Sequence, residues 1–166
     1  MKKPLLYLAL LLFSTVAYAQ DKAVHYKELQ KHLPESLAGF TAEGDPDGNM
    51  FEMNDMSYSS AMREYSKGDS YLTVTIMDYK GAASMYQGST MAWNNSMSYE
   101  DEEQKAHSVS INGMNGWFSY DKSNKETTLL LGINGRYLVT INITENEDED
   151  LAENIAKTLN LNGLPQ

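Results

Sequence analysis

The sequence predicts an α+β protein: a mainly antiparallel sheet of about six strands covered by helices, as in an α/β/α sandwich. Segments rich in Tyr, Thr, Val and Ile are separated by turn-forming Asn-Gly and Gly-Asp pairs, a pattern typical of antiparallel hairpins. Apolar residues also recur at helical spacing near both ends of the chain and once in its middle. Because an amphipathic helix must bury its apolar stripe, we expect these helices to pack on the sheet.

Residues 1–19 have the pattern of a secretory signal peptide. Lys2 and Lys3 precede an apolar run over residues 5–16, and Ala17-Tyr18-Ala19 has the small-x-small pattern of a signal peptidase site. The run is shorter than the ~20 residues that cross a bilayer. The chain also lacks Cys, so no lipid can be attached through a cysteine. We therefore expect a single domain over residues 20–166, located in the periplasm or secreted, with no membrane insertion after cleavage.

The charge of the chain limits its partners. The net charge is −10, and it becomes −12 when Lys2 and Lys3 leave with the signal peptide. Such a charge repels phosphate groups and anionic lipids, which argues against nucleic-acid or membrane-surface binding. An envelope protein or a small ligand is the expected partner.

The first half of the sequence predicts one helix and a hairpin. Tyr26, Leu29 and Leu33 recur at helical spacing, and Pro34 ends that run. The predicted segments are a helix over 22–33, a strand over 37–43, a turn over 44–49, and strands over 57–65 and 71–79 joined by a loop at 66–70.

The second half predicts two helices and four more strands. Trp93 is expected to anchor the first helix on the sheet. Asn134-Gly135 predicts a type I′ hairpin, because Asn and Gly tolerate positive φ angles. Asn146 and Glu149 have the spacing of a capping box before the last helix. The predicted segments are a helix over 81–95, strands over 105–112, 116–122, 126–133 and 136–144, and a helix over 147–160.

This order of elements, with its final strand-hairpin-helix block, resembles the exported PsbP-like family of small α/β/α sandwiches. The resemblance covers most of residues 23–161 and includes no diagnostic motif. It implies an assembly or accessory factor rather than an enzyme, and it implies no particular binding residue.

No motif predicts catalysis. Gly68-Asp69-Ser70 is similar to the nucleophile block of a lipase family, but that chemistry needs a late histidine base, and the last histidine is His107. His25 and His32 are seven residues apart, roughly 10 Å along a helix, which is too far to chelate one ion. We therefore predict a non-enzymatic binding or accessory module without a cofactor. A hydrolase is retained as a third candidate only because acidic residues and serines are abundant.

One alternative comes from the stretch N-M-F-E-M-N-D-M-S-Y at residues 49–58. Met50, Met53 and Met56 are evenly spaced, and thioethers are soft ligands that favour Cu(I). In a helix the three sulfurs would gather on one side, whereas in a strand they would diverge. Methionine also fills gaps in ordinary cores. A periplasmic Cu(I)-binding protein using these three methionines is therefore the alternative to the binding module.

Overall fold

The computed structural model describes residues 22–94 and 96–166, so the predicted signal peptide lies outside the described residues. Within them the chain builds one sheet of ten antiparallel strands. Three helices, α1 (Tyr26–Gln30), α2 (Ala83–Thr90) and α3 (Leu151–Thr158), and two 3₁₀ helices, Met91–Asn94 and Leu161–Gly163, accompany it. The strands are β1 (Ser36–Leu37), β2 (Phe40–Ala42), β3 (Asp47–Met53), β4 (Met56–Lys67), β5 (Ser70–Gly81), β6 (Ser98–Glu100), β7 (Gln104–Ile111), β8 (Met114–Asp121), β9 (Glu126–Ile133) and β10 (Tyr137–Thr144).

The predicted fold class is wrong. The described part of the chain is 50% strand and 18% helix, so a sheet of ten strands dominates the fold, in place of six strands enclosed by helices. The strand order is β1-β2-β4-β5-β10-β9-β8-β7-β6, with β3 beside the first half of β4. The error arises because β1, β2, β3 and β6 are short or carry polar residues typical of turns. They therefore do not show the alternation on which strand prediction depends.

One face of the sheet, here called the covered face, contacts α1, α3 and the C-terminal segment. Alternate residues of the central strands point into this face and are fully buried, as period-2 alternation requires. The buried residues of α3 that pack on this face are Ala152, Ile155 and Ala156. The main core is formed here, and its largest fully buried side chains include Tyr65, Phe40, Leu129, Ile141 and Ile155.

The opposite face, here called the open face, is covered at one end only. There α2 and the 3₁₀ helix Met91–Asn94 lie over a smaller cluster of Tyr79, Ala82, Trp93 and Leu138. Elsewhere the open face presents half-buried polar side chains that the strand register aligns in rows across the sheet, among them Thr73, Asn142 and Thr128, and Thr75 and Thr140.

The hairpins and the middle helix agree with the prediction. β4 and β5 are joined at residues 68–69, and β7–β10 form consecutive hairpins. Asn134 and Gly135 both have positive φ, as the predicted type I′ turn requires. Trp93 is buried, which confirms it as a packing anchor.

The ends of the chain differ from the prediction in local detail. The first helix is only Tyr26–Gln30, because residues before it are extended and bond to the sheet: the Ala23 N–H donates to Ser57 Oγ over 2.9 Å. The predicted strand 37–43 is divided by a turn at Ala38 and Gly39, which both have positive φ. The predicted turn over 44–49 overlaps β3. The capping box is absent, since the side-chain Oδ1 of Asn146 accepts from the Asp148 N–H instead.

A buried ion pair ties the first described residues and the C-terminal segment to the covered face. Asp78 is fully buried, and its two carboxylate oxygens accept from Arg136 Nε and Nη2, each over 2.7 Å. One of these oxygens also accepts from the Val24 N–H over 2.7 Å. The Arg136 Nη1 donates to the Pro165 carbonyl, to which the Tyr137 hydroxyl also donates over 2.6 Å. Asp78 therefore holds the first described residues, the β9–β10 hairpin and the C-terminal segment together.

Candidate functional site

The segment over residues 83–94, here called the cover, rests lightly on the open face. Its helix α2 has no fully buried residue and no side-chain cap, and it contains Gly88 in its interior. Two aromatic residues, Tyr86 and Trp93, attach it to the sheet. They are seven positions apart, which places them on the same side of a helix. The cover is therefore held mainly by two side chains rather than by a continuous apolar stripe.

Both aromatic side chains lie on Gly132, near the end of β9. A Cβ atom at Gly132 would be 2.6 Å from the Tyr86 hydroxyl oxygen and 3.4 Å from a ring carbon of Trp93. Contacts shorter than 3.0 Å do not occur for real Cβ atoms, so any larger residue would displace Tyr86. The glycine thus permits a close approach of the cover to the sheet.

Two cavities lie on either side of Trp93 and share Asn115. We call them together the Trp93 groove. The first has a volume of about 290 Å³ and is lined by Trp93, Ser96, Ser108, Val109, Ser110 and Asn115. The second has a volume of about 220 Å³ and is lined by Tyr86, Thr90, Trp93, Gly113, Asn115, Gly132 and Gly135. The groove therefore runs from the β7–β8 hairpin to the turn between β9 and β10.

Several polar groups in the groove are not engaged by the protein. Among the described residues, none hydrogen bonds to the side chains of Tyr86, Ser110 or Asn115, whereas the Thr90 hydroxyl is engaged with the Tyr86 carbonyl over 3.0 Å. Burial raises the pKa of the Tyr86 hydroxyl, so this group remains a hydrogen-bond donor at neutral pH. Tyr86 is half-buried, whereas Ser110 and Asn115 are exposed. The polar groups of all three side chains are therefore accessible to a ligand that enters from solvent.

The described side chains that line the groove carry no charge. Every described side chain that lines it is a hydroxyl, an amide, an aromatic ring or an aliphatic group. This composition contrasts with the chain as a whole, which is 22% charged residues with a net charge of −10. A charged ligand would find no counter-ion in this lining, so the site favours an uncharged one.

The three methionines of the copper hypothesis do not converge. Met53 and Met56 are direct partners across the β3–β4 hairpin and lie on one side, with Met53 more than half exposed. Met50 pairs with Ser59. Because Met50 is three positions before Met53 in the same strand, the alternation of side chains places it on the other side. The hairpin therefore brings two of the three candidate ligands together and separates the third.

The residues considered for catalysis are also apart. Ser70 begins β5, where its hydroxyl donates to the Glu145 carbonyl over 2.9 Å. His107 lies on β7, four strands away in the sheet order, or roughly 19 Å at about 4.8 Å per strand. His107 packs on Phe118 with 4.8 Å between ring centroids. His32 approaches the Asn160 carbonyl, and His25 caps α1.

A further cavity of about 100 Å³ borders Arg63 at the opposite edge of the sheet. Arg63 is 9% exposed, and its guanidinium donates to the carbonyls of Leu33 (2.8 Å) and Gly44 (3.0 and 3.1 Å). These bonds attach the end of α1 and the loop before β3 to β4. Arg63 therefore has a structural role here. The acidic residues that line this cavity are all exposed: Glu43, Asp45, Asp47 and Glu64.

Sequence reasoning identified Trp93 but not the groove. The available signal was Gly132 within L-L-L-G-I, because a glycine inside a strand often marks a close backbone or side-chain approach. Tyr86, Ser110 and Asn115 carry no motif. Their proximity depends on the cover crossing β9 and β8, which is a tertiary property.

In the part of the chain that the structure describes, no helix is both long and apolar enough to cross a bilayer. Searches of protein-family models, curated proteins and solved structures found no match to this chain. The resemblance to the PsbP-like family therefore stays a prediction.

Proposed function

We propose that this protein is an exported, non-enzymatic binding module that holds a small uncharged polar ligand in the Trp93 groove. The observation that carries the proposal is the convergence of three unengaged polar side chains, from Tyr86, Ser110 and Asn115, on two cavities that meet at Asn115. Export is inferred from the signal-like pattern of residues 1–19.

The shape of the site supports a small ligand. Binding pockets for small molecules are commonly about 300–1,000 Å³, with aromatic walls and a few convergent polar groups. The two cavities, of about 290 and 220 Å³, are each smaller than this range, which limits the ligand to a small one. Trp93 and Tyr86 supply the aromatic walls, and the cover packs on the smaller cluster rather than on the main core.

The chemistry of the lining supports binding rather than turnover. A serine becomes a nucleophile when an adjacent base takes its proton. Ser110 and Ser108 have hydroxyl, amide and indole neighbours in the groove. These groups donate and accept hydrogen bonds but are poor bases at neutral pH. The site is therefore suited to recognising a ligand and releasing it unchanged.

Thermal denaturation with pooled neutral metabolites at millimolar concentration tests this function. A ligand that binds the folded state stabilises it by RT ln(1 + [L]/Kd), so a pool containing a ligand raises the Tm. Asn115→Ala should clearly reduce the rise, because Asn115 borders both cavities.

Asn154→Ala is the matched control, because Asn154 is exposed on α3, which packs on the covered face. It should leave the Tm rise intact. A Tm rise of unchanged size in Asn115→Ala, or one that occurs only with charged metabolites, would contradict the proposal.

A further inference from the structure

Resting on the proposed function, we infer that the ligand of the Trp93 groove is a neutral saccharide of one or two rings. The inference follows from the kind of hydrogen-bonding groups that the groove offers, from their arrangement around Trp93, and from the size of the two cavities.

The unengaged groups both donate and accept. The Tyr86 and Ser110 hydroxyls and the Asn115 amide each combine a donor with an acceptor. A sugar hydroxyl has the same dual character, so neighbouring hydroxyls of one ring can satisfy such groups in pairs. A purely apolar ligand would leave them buried without partners, which costs free energy for each group.

The arrangement of these groups suits a ring that spans Asn115. Asn115 lines both cavities, while Ser110 lines only the first and Tyr86 only the second. A ligand bound at Asn115 can therefore extend toward Ser110 on one side and toward Tyr86 on the other. Cavities of about 290 and 220 Å³ are small, which limits the ligand to a short one.

The aromatic side chains fit the apolar part of such a ligand. Trp93 lies between the two cavities, and Tyr86 borders the second. Sugar rings carry C–H groups beside their hydroxyls, and mixed aromatic and polar linings are typical of sites that bind amphipathic small molecules. Charged sugars are disfavoured because the described lining holds no counter-ion for them.

Tryptophan fluorescence measures this binding directly. The chain has two Trp, so Trp117→Phe leaves Trp93 as the single reporter. We expect saturable changes in Trp93 emission on titration with glucose, galactose, mannose, N-acetylglucosamine or their disaccharides. Calorimetric titration of the unsubstituted protein with the same sugars checks the result if Trp117→Phe disturbs the fold.

The variants locate the site. Asn115→Ala, Ser110→Ala and Tyr86→Phe should each weaken sugar binding about tenfold, which corresponds to the loss of one good hydrogen bond. Asn154→Ala should leave the affinity unchanged. Glucuronate should bind at least about tenfold more weakly than glucose, since its carboxylate enters an uncharged site on an acidic protein.

Methyl glycosides distinguish a free sugar from the end of a glycan. Binding of a reducing sugar but not of its methyl glycoside indicates a free monosaccharide, whereas stronger binding of the glycoside or the disaccharide indicates a chain end. Either result supports the saccharide inference.

Two results would overturn it, and they separate it from the proposed function. If sugars fail but neutral N-acetyl amino acid amides bind in an Asn115-dependent way, the saccharide class is wrong and the groove remains a binding site. If neither class binds, or if binding ignores all three substitutions, both proposals are wrong.

Discussion

The two faces of the sheet differ in how their helices are attached. On the covered face, α3 buries Ala152, Ile155 and Ala156. The buried Asp78–Arg136 pair binds the first described residues and the C-terminal segment there. On the open face, α2 has no fully buried residue, and the cover depends on Tyr86 and Trp93. The stability of the fold is therefore concentrated on one face, while the cavities around Trp93 lie on the other.

This division separates stability from binding. Substitutions on the covered face should unfold the protein without altering the groove, because packed cores tolerate lost contacts poorly. Substitutions of Ser110 or Asn115 should change binding with little effect on stability, since their side chains have no hydrogen-bond partner among the described residues to lose. Elements of low local stability are commonly those that admit ligands.

The largest expected effect is the loss of the buried ion pair. Asp78→Asn removes the charge that compensates the Arg136 guanidinium, which is 10% exposed in its side chain. Breaking one side of a buried pair costs about 3–5 kcal/mol. Urea denaturation should show this loss in the free energy of unfolding.

The control for Asp78 is Glu153→Gln, which disrupts an exposed pair with Lys157 at 3.9 Å. We expect a change within about 0.5 kcal/mol. A loss of less than about 1 kcal/mol for Asp78→Asn would show that the pair does not fasten the covered face as described.

The second prediction compares a helix residue from each face. Ile155→Ala on α3 should cost about 2–5 kcal/mol, because Ile155 is fully buried and its truncation leaves a cavity. Met85→Ala on α2 should change the free energy of unfolding by no more than about 0.5 kcal/mol, because Met85 is 41% exposed. Urea denaturation measures the free energy of unfolding of both variants. Equal losses in the two would show that the helices on the two faces contribute equally to stability, which contradicts the comparison.

The third prediction concerns alkaline pH. Burial, assisted by the nearby Asp78 charge, raises the pKa of the Tyr137 hydroxyl to about 12, against an ordinary value of 10.0. The folded state therefore keeps this proton when the unfolded state has lost it. The protonated Tyr137 hydroxyl therefore contributes fully to the free energy of unfolding below pH 10. This contribution is lost as the pH rises toward 12, and the loss is about 2 kcal/mol.

Tyr137→Phe isolates this contribution. The variant should be less stable than the unsubstituted protein near neutral pH, because the hydrogen bond to the Pro165 carbonyl is lost. Between pH 10 and 12 its free energy of unfolding should fall less steeply, as measured by urea denaturation at each pH. Parallel pH profiles for the two proteins would refute the assignment to Tyr137.

The smallest expected effect concerns copper. Met53 and Met56 are cross-strand partners, while Met50 lies on the other side of β3, so the triplet cannot act as a three-sulfur site in this hairpin. We expect no competition with a chromophoric Cu(I) chelator under reducing conditions. Tight one-to-one uptake that is lost in Met53→Leu and Met56→Leu but kept in Met50→Leu would restore the copper alternative with two sulfur ligands.

Local sequence patterns predicted the strands in which apolar and polar residues alternate strongly. They did not predict the short or polar strands. The β4–β5 hairpin and the β7–β10 hairpins follow from period-2 patterning and from Asn-Gly turns. Asp78 follows Leu72, Val74 and Ile76 at intervals of two residues, so it points to the same buried side of β5. This spacing is the sequence signal for a buried acid. Its partner Arg136 is 58 residues away, and no local pattern connects the two.

The candidate site was less predictable than the fold. Gly132 marks a close approach, but the sequence does not say what approaches. Only the crossing of the cover over β9 and β8 brings Tyr86 and Trp93 beside Asn115. Residues that are distant in the sequence and meet only in the folded chain, without a shared motif, cannot be identified from a single sequence.

Chemical-shift mapping of the isotopically labelled protein tests the central claim most directly. Neutral sugars and neutral amides would be added while ¹H–¹⁵N spectra are recorded. We predict that shifts concentrate at the Asn115 side-chain amide and at the backbone amides of Gly113, Gly132 and Gly135. Shifts confined to the loop beside Arg63, or no shift with any neutral compound, would contradict a ligand site on the open face.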